Sequence, residues 1–149
     1  MELKDIFRYE ERRLYPTMMG LRRCYDQLRN RFEEFVRCFP PQAGTLHDVA
    51  EFVGEPDKPL LTARFCGKEF RFRFDMAQGG NRGQVRCLVF SPGEPDAKEQ
   101  ELGRFTFNGE GITDIVPPGP NADPLPMNQQ IPAYCIAGSF LTAAIEQAQ

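Results

Sequence analysis

Residues Leu60 to Met76 read LLTARFCGKEFRFRFDM, and the alternation in this stretch decides the fold. Phe70, Phe72, Phe74 and Met76 alternate with Glu69, Arg71, Arg73 and Asp75. Upstream, Leu61, Ala63 and Phe65 alternate with Thr62, Arg64 and Cys66. Period two marks strands with one buried and one wet face. Gly67-Lys68 suits the central pair of a type II′ turn. That turn pairs Phe65 with Phe70, Ala63 with Phe72 and Leu61 with Phe74, apolar against apolar. It also sets Arg64 opposite Arg71, and like charges so placed repel by roughly a few tenths of a kcal/mol. A carboxylate of the chain or an anionic partner must offset them.

Downstream, Ala77 to Gly83 (AQGGNRG) reads as a flexible turn. A phosphate-cradling loop would need a following Gly-Lys-Ser/Thr and helix, and here a strand follows. Gln84 to Phe90 is a third strand with Val85, Cys87 and Val89 inward and Arg86 outward. Ser91 to Gln100 (SPGEPDAKEQ) is a solvated acidic loop. Leu102 to Phe107 is a fourth strand with Phe105 and Phe107 inward and Arg104 outward. Asn108-Gly109 signals a turn, after which Gly111 to Val116 offers a fifth strand. Pro117 to Pro132 holds six prolines in sixteen residues, which excludes a helix or central strand. Its length calls for docking or a binding role. Ala133 to Gln147 then carries Ile136, Ala137, Phe140, Leu141, Ala144 and Ile145 with Glu146 as its one charge, the pattern of a well-buried helix.

Upstream, residues 2–14 are helical in pattern, and Pro16 either kinks that helix or opens a new one. Leu14, Met18, Leu21, Tyr25, Leu28, Phe32, Phe35 and Phe39 are spaced alternately by four and three, up to Pro40-Pro41. Such a heptad stripe serves a coiled-coil homodimer through Met18–Phe39 or a single helix lying on a sheet. The apolar sheet face needs a cover and three heptads are short for a coiled coil, so the second is favoured. Thr45 to Asp48 has the form of a capping box, and Leu46, Val49, Ala50 and Val53 follow at helical spacing. A short helix over 46–53 is expected, with a strand as the alternative and His47 as a surface residue at the helix start.

Together these readings predict one α+β domain over residues 1–149. It comprises a helical segment over 2–39 kinked near Pro16, an antiparallel meander of four or five strands over 60–116, the proline-rich loop 117–132 and a C-terminal helix over 133–147. Both helices pack on one face of the sheet.

Composition narrows the chemistry. An apolar content of 41% and a charged content of 26% in 149 residues are those of a globular domain. Thirteen Phe and no Trp imply a Phe-filled core. No apolar run approaches the ~20 residues of a membrane span, and MELKDIFRYEERR lacks the apolar centre of a signal peptide. Five widely spaced cysteines without Cys-x-x-Cys point to reduced thiols and a cytoplasmic setting. One histidine leaves no multi-histidine metal site and little His-based acid–base chemistry. Glu69 and Asp75 lie about 20 Å apart along one strand, too far for joint acid–base work. Pro95-Asp96 lacks the Glu-x-Lys that a restriction-type nuclease core requires. No catalytic residue, cofactor or metal is implied.

The net charge of −3 is uneven. Residues 1–44 hold nine Lys/Arg against seven Asp/Glu, and residues 84–149 hold three against eight. The acidic C-terminal half weighs against nucleic-acid binding and favours a basic protein partner. Two candidate surfaces emerge. One is the outward arginine set Arg64, Arg71, Arg73, Arg86 and Arg104; the other is the acidic set Glu94, Asp96, Glu99, Glu101, Glu110 and Asp114. The leading expectation is a non-enzymatic protein-binding module, of the size and charge of immunity proteins or antitoxins that neutralise a basic partner. The alternatives are an anion or single-stranded nucleic-acid binder using the arginine face, and a homodimeric structural or adaptor protein.

Overall fold

A computed structural model describes residues 2–40, 48–55 and 57–147. A short helix, α1 (Leu3–Ile6), precedes the long helix α2 (Glu11–Arg37). Five strands follow: β1 (Glu51–Glu55), β2 (Leu60–Phe65), β3 (Lys68–Met76), β4 (Gly83–Phe90) and β5 (Gln100–Phe107). Helix α3 (Gln130–Glu146) closes the chain. The strands pair antiparallel in sequence order, so the sheet is a plain meander.

The alternation in Leu60–Met76 delivers the core. Phe52, Leu61, Ala63, Phe70, Phe72, Phe74, Val85, Cys87, Phe105 and Phe107 form the inner face and are buried. Leu28, Phe32, Phe35 and Val36 from α2, Phe39 just beyond it, and Ala133, Ile136, Ala137, Leu141 and Ala144 from α3 cover that face. Phe72 meets both helices, with ring centroids 6.2 Å from Phe35 and 5.9 Å from Phe140. Each such edge-to-face pair adds about 0.5–1.5 kcal/mol beyond simple burial. The architecture is therefore α+β with both helices on one face.

The hairpin corrects the expected register. Cys66-Gly67, not Gly67-Lys68, form the turn, with φ of 51° and 78°. Two positive values define a type I′ turn, which matches the right-handed strand twist. Ala63 now faces Phe70 and Leu61 faces Phe72. Arg64 stands opposite Glu69 rather than Arg71, so the predicted repulsion is absent there.

Other corrections follow from packing. Residues 51–53 lie in a strand, not a helix: the helical spacing would bury Val49 and Val53, yet both are exposed. Phe52 instead stacks on Phe39 at 4.6 Å. The cap read at Thr45–His47 lies outside the described residues. This edge strand supplies the fifth member of the sheet, while Gly111–Val116 makes only the isolated bridges Phe107–Thr113 and Ile112–Pro126. The break in the N-terminal helix falls at Phe7–Glu10, and Pro16 is accommodated inside α2. Helix α3 begins earlier than expected, because Pro132 is its third residue, where no intrahelical N–H bond is required. It is half-buried, with Ile131, Cys135, Ser139 and Thr142 exposed.

The proline-rich stretch docks. Thr113 N–H donates to Leu125 O, Leu125 N–H to Ile115 O, and Met127 N–H to Gly111 O, each at 2.9 Å. The side chain of Met127 is fully buried. Glu34 on α2 accepts from the Asn128 amide at 3.1 Å, tying this segment to the long helix.

Candidate interaction surfaces

The five arginines do share the outer sheet face, and pairing concentrates them. Arg73 faces Arg86, and Arg86 faces Arg104, a row of three guanidinium groups across β3, β4 and β5. Such a row needs carboxylates. Glu99 lies 3.5 Å from Arg71 and 3.3 Å from Arg73, and Glu101 lies 2.6 Å from Arg104 and 3.8 Å from Arg86. Glu69 adds a contact to Arg71 at 3.7 Å, and Glu51 one to Arg64 at 3.9 Å. Each predicted arginine thus has a carboxylate of its own chain within ion-pair distance.

A bulge makes this possible. Cys87 pairs with Gly103 but Leu88 pairs with Glu101, which leaves Leu102 as the extra residue. Strict alternation would turn Glu101 inward beside Phe105; the bulge turns it out beside Arg104. Residues 91–100, expected as a solvated acidic loop, are exposed from Pro92 onward, and the loop brings Glu99 back to Arg71 and Arg73. Leu88 is buried although it stands outside the main core cluster. The Arg71 guanidinium lies 5.2 Å from the Phe90 ring, so that aromatic face is also occupied. Exposed ion pairs are individually worth about 0–1 kcal/mol, but four contacts anchored on two glutamates hold one segment in place.

The acidic set is not one surface. Glu99 and Glu101 are committed to the arginines. Glu94 and Asp96 lie in the β4–β5 connection, whereas Glu110 and Asp114 lie beyond the far end of β5. Asp114 accepts the Thr106 N–H at 3.0 Å, and Glu110 sits in the turn organised by Asn108 Oδ1.

A further exposed surface is helical. At 1.5 Å per residue α2 is about 40 Å long, and only its C-terminal part meets the sheet. Its buried residues are Leu28, Phe32, Phe35 and Val36, none earlier. Tyr25 marks the edge, its ring 5.6 Å from Phe74. Leu14, Met18 and Leu21 continue the same heptad stripe but are exposed, as are Leu3, Ile6, Phe7, Tyr9 and Tyr15. The Leu28–Phe39 part of the stripe is committed to the chain's own sheet.

Two further features complete the surface. An apolar groove of about 400 Å³ runs between α3, Leu102 and the Ile115–Pro118 segment, and no charged residue lines it. Among the described residues no cluster of three His, Cys, Asp or Glu side chains could hold a metal ion. Burial pushes the Cys87 thiol up to about 12, and burial and then Glu34 raise Cys38. Among the described residues no helix is long and apolar enough to cross a membrane. No family model, curated protein or solved structure matches the chain.

Proposed function

We propose that the chain is a non-enzymatic protein-binding module whose docking surface is the overhanging arm formed by α1 and the first three turns of α2. The observation that carries this reading is the stripe itself. One heptad pattern is buried from Leu28 onward and exposed before Tyr25. Eight large apolar side chains in residues 3–21 stay in water, and contiguous apolar patches of this kind mark interaction sites. Burial raises Cys38 and Cys87, the reverse of what a nucleophile at either position needs.

The neutraliser reading, of an immunity or antitoxin type, asks for a gathered acidic surface. Its six residues are dispersed, and two of them pair with arginines, so it draws less support. An anion or single-stranded nucleic-acid site on the arginine face would have to displace Glu99 and Glu101 first.

A photo-crosslinking residue placed at Tyr15, and separately at Thr62 on the outer sheet face, tests the proposal in native lysate. Adducts to a protein chain, whether another copy or a different one, should form from position 15 at high yield. Adducts from position 62 alone, or from neither, count against the arm.

A further inference from the structure

We infer that the occupant of the arm is a second copy of this chain, bound antiparallel, an inference that rests on the arm being the docking surface. Charge is segregated along it. Residues 2–11 carry Glu2, Asp5, Glu10 and Glu11 with Lys4 and Arg8, a net of −2. Residues 12–23 carry Arg12, Arg13, Arg22 and Arg23 and no acid, a net of +4. Among the described residues Glu11, Arg22 and Arg23 make no ion pair within the chain, although Glu10 holds Arg12 at 2.9 Å.

A two-fold axis level with Pro16 sets Leu14 against Met18 of the second copy. It also places Glu11 beside Arg22 of that copy, at both ends of the contact, while Arg23 shares the outward face of Pro16. Such an interface is isologous, so every gain is made twice. A parallel pairing would set Arg22 against Arg22 and Glu11 against Glu11. Pro16 does not obstruct, because it lies on the helix face opposite the Leu14–Met18–Leu21 stripe. Leu14, Met18 and Leu21 of both copies form the interface's apolar centre, smaller than the roughly 800 Å² per partner of a standard-size interface, so the pair is a weak one. Two such faces are also self-complementary in the heptad sense, with a and d positions interleaved.

Sedimentation equilibrium of the purified full chain, from about 1 µM to about 300 µM, covers the affinity expected of an interface this size. Wild type should show a reversible monomer–dimer equilibrium. Leu14→Glu/Leu21→Glu should be monomeric throughout. Glu11→Arg should weaken association roughly fivefold, since attraction becomes repulsion at both ends. Adding Arg22→Glu to that same chain should restore wild-type affinity. The last two variants change only exposed charges, and unaltered circular dichroism and melting confirm that they fold. A wild-type monomer at the top concentration, a higher oligomer, or a dimer indifferent to reversal at Glu11 overturns the inference. A monomer in this experiment with strong crosslinking from position 15 to a different chain would sink the second copy alone and leave the docking surface standing.

Discussion

Alanine substitutions down the single stripe of α2 should divide sharply at Tyr25. Leu14, Met18 and Leu21 are 45%, 59% and 48% exposed, whereas Leu28, Phe32 and Phe35 are 0%. A Leu→Ala change removes three carbons worth about 0.8 kcal/mol each when fully buried. Half-exposed, Leu14 and Met18 forfeit about 1 kcal/mol at most, and alanine's helix propensity returns part of it. Leu21 costs a little more than Leu14, because its Cδ2 rests against Gly80. At Leu28 the loss includes an unfilled cavity, giving about 3–5 kcal/mol. Phe35→Ala belongs in the same range or above it, since Phe35 meets the rings of Phe32, Phe39, Phe72 and Phe105. Urea unfolding at low micromolar concentration measures all six changes in one host, with an unchanged m-value as the control for two-state behaviour. In melting terms about 2–4 °C per kcal/mol separates the two groups clearly. Equal costs at Leu14 and Leu28 would refute the overhang, because they would require the first three turns to be packed as tightly as the last three.

Three further outcomes are expected. Gly83→Ala would bring a Cβ within 2.3 Å of the buried Phe107 ring, so it should destabilise by about 1–3 kcal/mol; calorimetry of Gly83→Ala/Phe107→Leu should recover part of that loss, and additive losses would contradict the contact. The Cys87 thiol is held up to about 12 against an ordinary 9.0, so the unfolded chain ionises first and stability falls as pH rises from about 9 to about 12. Cys87→Ala lacks this slope, and urea midpoints at pH 8 and pH 10 should shift by about 1 kcal/mol in its favour. Glu99→Gln/Glu101→Gln uncovers the row Arg73, Arg86 and Arg104, and should elute from heparin at clearly higher salt than wild type; unchanged elution would mean that these carboxylates do not mask the face.

How far the sequence revealed this molecule depended on the range of the interactions involved. Alternation in Leu60–Met76 is local and was enough to predict the sheet, its Phe-lined face and its arginine-lined face. The hairpin register was not recoverable from the same signal. Shifting partners from Phe65–Phe70 to Ala63–Phe70 keeps every side chain on its own face, so the apolar pattern fits both arrangements. The choice lies in the turn, where Cys66 takes a left-handed conformation that the sequence does not advertise. Strand β1 stood only as the alternative, because Val49, Ala50 and Val53 fit a helical spacing, whereas Ala50 and Phe52, two residues apart, are the ones that reach the core. The bulge at Leu102 and the reach of Glu99 to Arg71 connect residues far apart in the chain, and no local pattern encodes them. The proposed docking surface was legible in the same proportion. The stripe from Leu14 to Phe39 was visible, but which of its turns the strands cover depends on contacts between distant parts of the chain.

The order of elements along the chain bears on synthesis. Helix α2 leaves the ribosome before any strand that can cover Phe32 and Phe35 exists. Phe72 and Phe74 arrive about forty residues later, and Phe105 and Phe107 about seventy, which is several seconds at about 5–20 residues per second. During that interval an amphipathic nascent helix displays its phenylalanines to chaperones and to neighbouring nascent chains. The meander limits the delay, since each new strand finds its partner in the strand just made and closes only a short loop.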